Sequence, residues 1–228
     1  MSLSNQLPFE FDHRPSFDGN DYLVTNTNKE AVLWLDKWSS WYSSCCIIYG
    51  PSGCGKSHLG NVFMSMSNAV STNLDHRCLE EYDNSININH NIVVDDIDEK
   101  LKTLADEKNF LHIYNNLTLR GGKILLLACK APVHWGLKLA DLRSRIKASP
   151  AIGIGVPDDE LICAILIKLF SDRQIRIDLR VVEYIVRRIE RSFNSAQKFV
   201  EKADHAALAQ NKKISLGIAR EVLNDMGL

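Results

Sequence analysis

Three kinds of hydrophobic pattern divide the chain. The first is the short, unbroken apolar run: 45–49 (Cys45, Cys46, Ile47, Ile48, Tyr49), Ile92–Val94, 124–127 and 152–156, where Ile152, Ile154 and Val156 alternate with glycine. Continuous runs of this length are the signature of strands buried on both faces, as in a parallel sheet. The second is helical spacing. It covers 28–41 (Ala31, Val32, Leu33, Leu35, Trp38, with Asn28 as N-cap), 56–66, and 101–119 (Leu101, Leu104, Phe110, Leu111, Tyr114, Leu117), which closes at Gly121 and Gly122. Strands alternating with helices predict a parallel α/β sheet with right-handed crossovers.

After Pro157 only helical spacing remains. Asp158, Asp159 and Glu160 put negative charge at a helix start, predicting a helix to about Ser171. Helices over 179–190, 193–210 (capped by Ser192) and 215–226 (capped by Ser215) follow. The third pattern is the lack of either period at the N-terminus, a polar stretch with Pro8, Pro15 and Gly19. The expected organisation is an arm over 1–19, an α/β core over 20–156 and an all-helical lid over 157–228.

Composition agrees with a globular chain: 45% hydrophobic, 24% charged, and a formal net charge of −1. Residues 1–157 hold 15 Lys and Arg against 17 Asp and Glu, and residues 158–228 hold 12 against 11. Neither part is a basic block, so a strong sequence-independent grip on DNA is not expected. The longest apolar run, Leu161 to Ile167, is far short of the ~20 residues a bilayer needs. The first residues lack the basic and apolar regions of a signal peptide. Six cysteines without a C-x-x-C pair point to neither zinc nor a disulfide scaffold. A soluble, reduced, cytoplasmic protein is expected, with no membrane contact.

Chemistry enters at Gly50, Pro51, Ser52, Gly53, Cys54, Gly55, Lys56 and Ser57, which fit G-x-x-x-x-G-K-[ST] without mismatch, after a strand and before a helix. In such a loop backbone N–H groups converge on phosphate oxygens and the helix N-terminus adds a positive dipole end. Lys56 reaches the β/γ-phosphates of ADP or ATP, and Ser57 binds Mg²⁺. The strand at Ile92–Val94 delivers Asp95 and Asp96 at its C-terminal end. Asp95 is the second Mg²⁺ residue and Asp96 orients the attacking water. Asp96 is one methylene shorter than a glutamate, so fast hydrolysis is not expected.

These motifs, the helical lid, the run Leu142, Arg143, Ser144, Arg145, Ile146, the stretch from Phe110 to Leu117 and the segment from Asp21 to Asn28 together resemble the AAA+ module of the bacterial replication initiator DnaA, over about residues 20–228. The resemblance implies an AAA+ P-loop core with a five-stranded parallel sheet and a C-terminal helical lid. It implies that Arg145 reaches a neighbour's γ-phosphate as an arginine finger in trans. It also implies that Arg191 senses the nucleotide from the lid. Three departures narrow the branch. The chain stops at Leu228, after the lid, so no helix-turn-helix and no sequence-specific DNA binding are expected. The arm carries Gln6, Leu7, Pro8, Phe9 and Phe11, similar to peptides that dock on the sliding clamp, the β subunit of DNA polymerase III. The polar sensor residue of DnaA falls around Leu127 to Cys129, where none is suitable.

A short DnaA-like protein with a clamp-binding arm is similar to the Hda-type regulatory inactivators of DnaA. That branch implies DnaA and the clamp as partners, replisome-associated action against re-initiation, weak ATPase activity at most, and leaves a homo-oligomer open. The alternative is a DnaC-like loader or targeting ATPase acting on DNA or helicase, for which the arm is too short to fold. Trp34, Trp38 and Trp41, at i, i+4 and i+7, are read as packing residues and Trp135 as cover for the sheet edge. His58 is read as a helix-packing residue. Cys54 sits where a helix dipole can lower a thiol pKa, but is read as a variable loop position.

Overall fold

The computed structural model describes residues 13–14, 22–74 and 91–228. Two strand pieces, β1 (His13–Arg14) and β2 (Tyr22–Leu23), pair antiparallel. The central sheet is parallel and five-stranded, in the order β4-β5-β6-β3-β7: β3 is Cys45–Tyr49, β4 Val70–Ser71, β5 Ile92–Val94, β6 Ile124–Ala128 and β7 Ala151–Gly153.

Why these strands read as continuous apolar runs is visible in how they pack. Cys45, Ile47, Ile92, Val94, Ile124 and Leu126 face one cluster with Phe110, Ile113, Leu142 and Ile146; Cys46, Ile48, Val93, Leu125 and Leu127 face another with Leu35, Trp41, Leu59 and Phe63. Successive side chains go to opposite faces, and helices cover both, so the central strands β3, β5 and β6 are apolar at every position but Tyr49 at the end of β3. The first face is covered by α3 (Ile97–Lys100), α4 (Leu104–Leu119) and α5 (Ala140–Ala148), the second by α1 (Lys29–Asp36) and α2 (Lys56–Ser67). Trp41 stacks on Phe63 at 5.5 Å between centroids and Trp38 meets the same ring edge-on, so these indoles are core packing. Trp135 is buried against the α4 side, its Nε1–H donating to the Lys130 carbonyl at 2.8 Å.

The C-terminal region packs as a separate all-helical cluster of α6 (Asp159–Asp172), α7 (Leu179–Val186), α8 (Phe193–Gln210) and α9 (Leu216–Asp225) around Leu166, Phe170, Val182, Phe199 and Ala219. Side chains cap three of them: Asp158 accepts from Leu161 N–H at 2.7 Å, Asp178 from Arg180 N–H, and Ser192 from Ser195 N–H.

Several expected boundaries move. The expected helix over 101–119 starts at Leu104, because Thr103 and Asp106 form a reciprocal capping box there. Its end is where the glycines indicated: Gly122 N–H donates to the Leu117 carbonyl at 2.8 Å and Gly121 N–H to Thr118, a Schellman closure. The expected helix over 28–41 ends at Asp36 and gives way to a 3₁₀ turn, Trp38–Ser40. Asn28 stands at its N-cap, yet its Oδ1 accepts from Thr25 N–H at 2.9 Å, closing the preceding turn. Ser215 likewise occupies a cap position without a side-chain cap bond.

Candidate functional site

The site forms at the C-terminal edge of β3, β5 and β6. The chain leaves β3 at Gly50, where a Cβ would lie 2.5 Å from the Ile154 carbonyl oxygen, so no side chain fits. It enters α2 through Gly55, held at φ 101°, a left-handed conformation that glycine adopts without strain. Lys56 is the first residue of α2 and is buried. Its ammonium donates to the carbonyls of Gly50 (2.8 Å) and Pro51 (2.9 Å), which holds the positive charge inside the loop. Pro51 and Ser52 are exposed on the loop's outer surface.

Across from the loop, Ser57 Oγ–H donates to Asp95 Oδ2 at 2.6 Å. A hydroxyl and a carboxylate from strands and helices 38 residues apart in sequence thus converge on one point, an oxygen donor pair of the kind Mg²⁺ takes. Asp95 Oδ1 accepts from Asp96 N–H at 2.9 Å, and its carbonyl accepts from Lys100 Nζ at 2.8 Å. Asp96 is exposed and sits at φ 50°, ψ 42°, a left-handed conformation that aspartate tolerates better than most residues. The residues fit a Mg²⁺-bound nucleoside phosphate: a cation, a helix N-terminus and an oxygen pair face the same corner.

Cys54 departs from the lowered-pKa reading. It is buried beneath the loop, and burial pushes its thiol pKa up more than the neighbouring Lys56 ammonium lowers it. Leu127 and Ala128 are buried in the core, while Cys129 is exposed at the end of β6.

Two buried carboxylates organise the segment from β6 to α5. Asp98 accepts from the N–H groups of Cys129 (3.1 Å) and Lys130 (3.0 Å), and Glu107 accepts from Lys138 (3.0 Å) and Leu139 (2.6 Å). Glu107 therefore caps the start of α5 from another helix. Sequence reasoning missed both acids. For Glu107 a signal existed: it lies on the same helical stripe as Phe110, Tyr114 and Leu117, an acid on an apolar face.

Arg145 stands exposed in the last turn of α5, its guanidinium 5.5 Å from the centroid of the buried Tyr114 ring. Arg143, two residues earlier, turns inward enough for Nη1–H to donate to the Leu137 carbonyl at 3.3 Å. From the lid side, Arg191 is exposed and its Nε pairs with Asp159 Oδ1 at 2.8 Å, at the first residue of α6. The lid approaches the P-loop through a nearby residue: Phe193 N–H donates to the Gly53 carbonyl at 3.0 Å and the Phe193 ring lies against Gly55. His58 stacks on that same ring, 6.4 Å between centroids. The segment 24–28 joins the corner as well, with Gly155 N–H donating to the Thr27 carbonyl at 3.3 Å. Gln6, Leu7, Pro8, Phe9 and Phe11, with Asp21, lie outside the described residues.

No family model matches the chain. Over 233 residues it is 22% identical to the chromosomal replication initiator protein DnaA of Campylobacter jejuni, covering 92% of this chain and 53% of that protein. The chain thus spans about half the length of the curated relatives it matches. Domain III of DnaA from Thermotoga maritima superposes with a TM-score of 0.75 at 16% identity, covering 90% of this chain and 94% of that one. AMPPCP-bound DnaA from Aquifex aeolicus gives 0.64 at 19% identity over 79% of this chain and 62% of that one. The five-stranded parallel sheet, the P-loop at its edge and the helical C-terminal region are the AAA+ fold as it occurs in domain III of DnaA.

Proposed function

We propose that the chain is a nucleotide-binding AAA+ regulator of the Hda type. Held on the DNA-loaded sliding clamp by Gln6 to Phe11, it supplies Arg145 in trans to ATP-bound DnaA and stimulates hydrolysis there, which prevents re-initiation of replication. Its place of action is the bacterial cytoplasm, at the replisome.

The observation that carries this reading is the mounting of Arg145. Its guanidinium is exposed at the end of α5, lies on the Tyr114 ring, and belongs to a backbone whose carbonyl accepts from Ser149 Oγ at 2.9 Å. A planar cation presented from a fixed helix end is suited to charge that develops on a neighbour's phosphate only in the transition state. Such fingers contribute about 10³–10⁵-fold in other P-loop systems.

The resident nucleotide, ADP or ATP, has support from the corner itself and from the AMPPCP bound by the Aquifex protein. Lys56 and the N–H groups at the start of α2 hold the phosphates, while Ser57 and Asp95 hold Mg²⁺. Held there, Mg²⁺ would neutralise phosphate charge. Arg191 reads the nucleotide from the lid in this proposal, which requires it to exchange its Asp159 partner for phosphate. The short Asp96 carboxylate keeps the chain's own hydrolysis weak.

Two measurements test the proposal. Arg145→Ala should stay folded and nucleotide-bound yet lose the stimulation of DnaA–ATP turnover, assayed with clamp and DNA. Arg143→Ala should keep most of it, since Arg143 is occupied by the Leu137 carbonyl. Full stimulation by Arg145→Ala sinks the finger. Deleting residues 1–11 should leave ADP binding intact and remove co-elution with the clamp; a truncated protein that still co-elutes docks by another surface.

A further inference from the structure

Two thiols occupy one corner of the nucleotide site. Tyr49 of β3 pairs with Ala128 of β6, and Gly50 N–H donates to the Ala128 carbonyl at 3.1 Å. The residues that follow, Gly50 and Cys129, are therefore lateral neighbours. Strand alternation, continued one residue, puts both on the face covered by α2, since Ile48 and Leu127 two residues earlier pack there. Cys54 Sγ lies 3.0 Å from the point where a Cβ on Gly50 would stand. The Cys54 sulfur thus fills, beside Cys129, the space that Gly50 leaves. Burial does most to raise the pKa of Cys54, and a charge on Cys129 adds a lesser push in the same direction, so Cys129 lies within electrostatic reach of Cys54.

The two differ in access. Cys129 is exposed and Cys54 is buried. An oxidant meets Cys129 first, and the product has one thiol beside it. The remaining described cysteines lack this arrangement: Cys45 and Cys46 are fully buried within β3 and Cys163 lies in the lid.

We propose that Cys54 and Cys129 form a peroxide-responsive pair that closes to a disulfide and thereby weakens nucleotide binding. This rests on the P-loop reading above. In the first step the Cys129 sulfur attacks one peroxide oxygen, the O–O bond breaks, and Cys129 sulfenic acid forms while the departing hydroxide takes up the Cys129 thiol proton and leaves as water. In the second the Cys54 sulfur attacks the sulfenic sulfur, the S–O bond breaks, and a second water leaves with the Cys54 proton. Two thiols are oxidised and one peroxide is reduced to two waters. The effect on nucleotide follows from place. The Cys54 backbone belongs to the loop whose N–H groups precede Lys56, and its N–H now donates to the Pro51 carbonyl at 3.4 Å. Tying Cys54 to the end of β6 drags that backbone out of the arrangement in which the N–H groups converge on phosphate.

The test uses the full chain. Reduced protein is treated with hydrogen peroxide, digested without reductant and mapped by mass spectrometry, and fluorescent ADP is titrated before treatment, after it, and after dithiothreitol. The expected result is a linked Cys54–Cys129 peptide lighter by two hydrogens, ADP affinity lower by about tenfold or more, and recovery with dithiothreitol. Cys129→Ser should give no such link, and its treated and untreated affinities should agree with each other. Absence of the link, or a link formed with ADP affinity unchanged, overturns the proposal. A reduced protein that binds no ADP overturns the P-loop reading instead, and the peptide map alone then decides whether the pair forms.

Discussion

Lys56 carries a full positive charge in a buried position, and two carbonyls hold it there. A buried ammonium so placed is costly unless something negative offsets it, and a phosphate group is what the convergent N–H groups would donate to. Lys56→Ala should therefore weaken ADP binding by about 2–5 kcal/mol, with circular dichroism unchanged. Equal affinity of wild type and variant in a fluorescent ADP titration would rule the loop out as the phosphate site. At this scale the sequence was most readable where chemistry demands both a residue type and a spacing, as from Gly50 to Ser57. It was least readable where one side chain acts on distant backbone. Nothing local in the chain links Asp98 to the N–H groups of Cys129 and Lys130, 31 and 32 residues on.

Elements were legible in proportion to how much of their surface is buried. β3, β5 and β6 are apolar on both faces and stand out as runs, whereas β4 has only Val70 and Ser71, half-buried and exposed, and leaves no pattern. α5 was also hidden, because only Leu142 and Ile146 of its nine residues are buried. What fixes so thinly packed a helix is the Glu107 carboxylate at its start and Tyr114 and Ser149 near its end. Glu107→Ala leaves the Lys138 and Leu139 N–H groups without their acceptor and empties a buried site, so it should cost about 2–4 kcal/mol in urea unfolding. Glu107→Gln, which keeps one acceptor oxygen, should cost less. A destabilisation within about 0.5 kcal/mol for Glu107→Ala would show that α5 is positioned by its apolar contacts alone.

For the whole molecule, core and lid meet at the P-loop itself, through the Phe193 N–H on Gly53 and the Phe193 ring between Gly55 and His58. His58 makes this junction sensitive to protons. Burial, and then the Lys168 ammonium from α6, push its pKa below the ordinary 6.5. In the unfolded chain His58 titrates normally, so as pH falls through 6.5 the unfolded state binds a proton that the folded state refuses. Stability contributed by neutral His58 is thus complete above 6.5 and declines below it, until the folded imidazole also protonates. The chain holds six other histidines, so the comparison must be between proteins that differ at residue 58 alone. The thermal midpoint of the wild type should fall further than that of His58→Gln between about pH 7.5 and about pH 5.5. Because the imidazole stacks on Phe193, the same acidification should loosen the lid from the P-loop, read as faster amide exchange at the start of α8 in the wild type than in the variant. Parallel pH profiles of midpoint and exchange in the two proteins would show that His58 does not couple core to lid, and that the contact between Phe193 and the P-loop glycines holds the lid unaided.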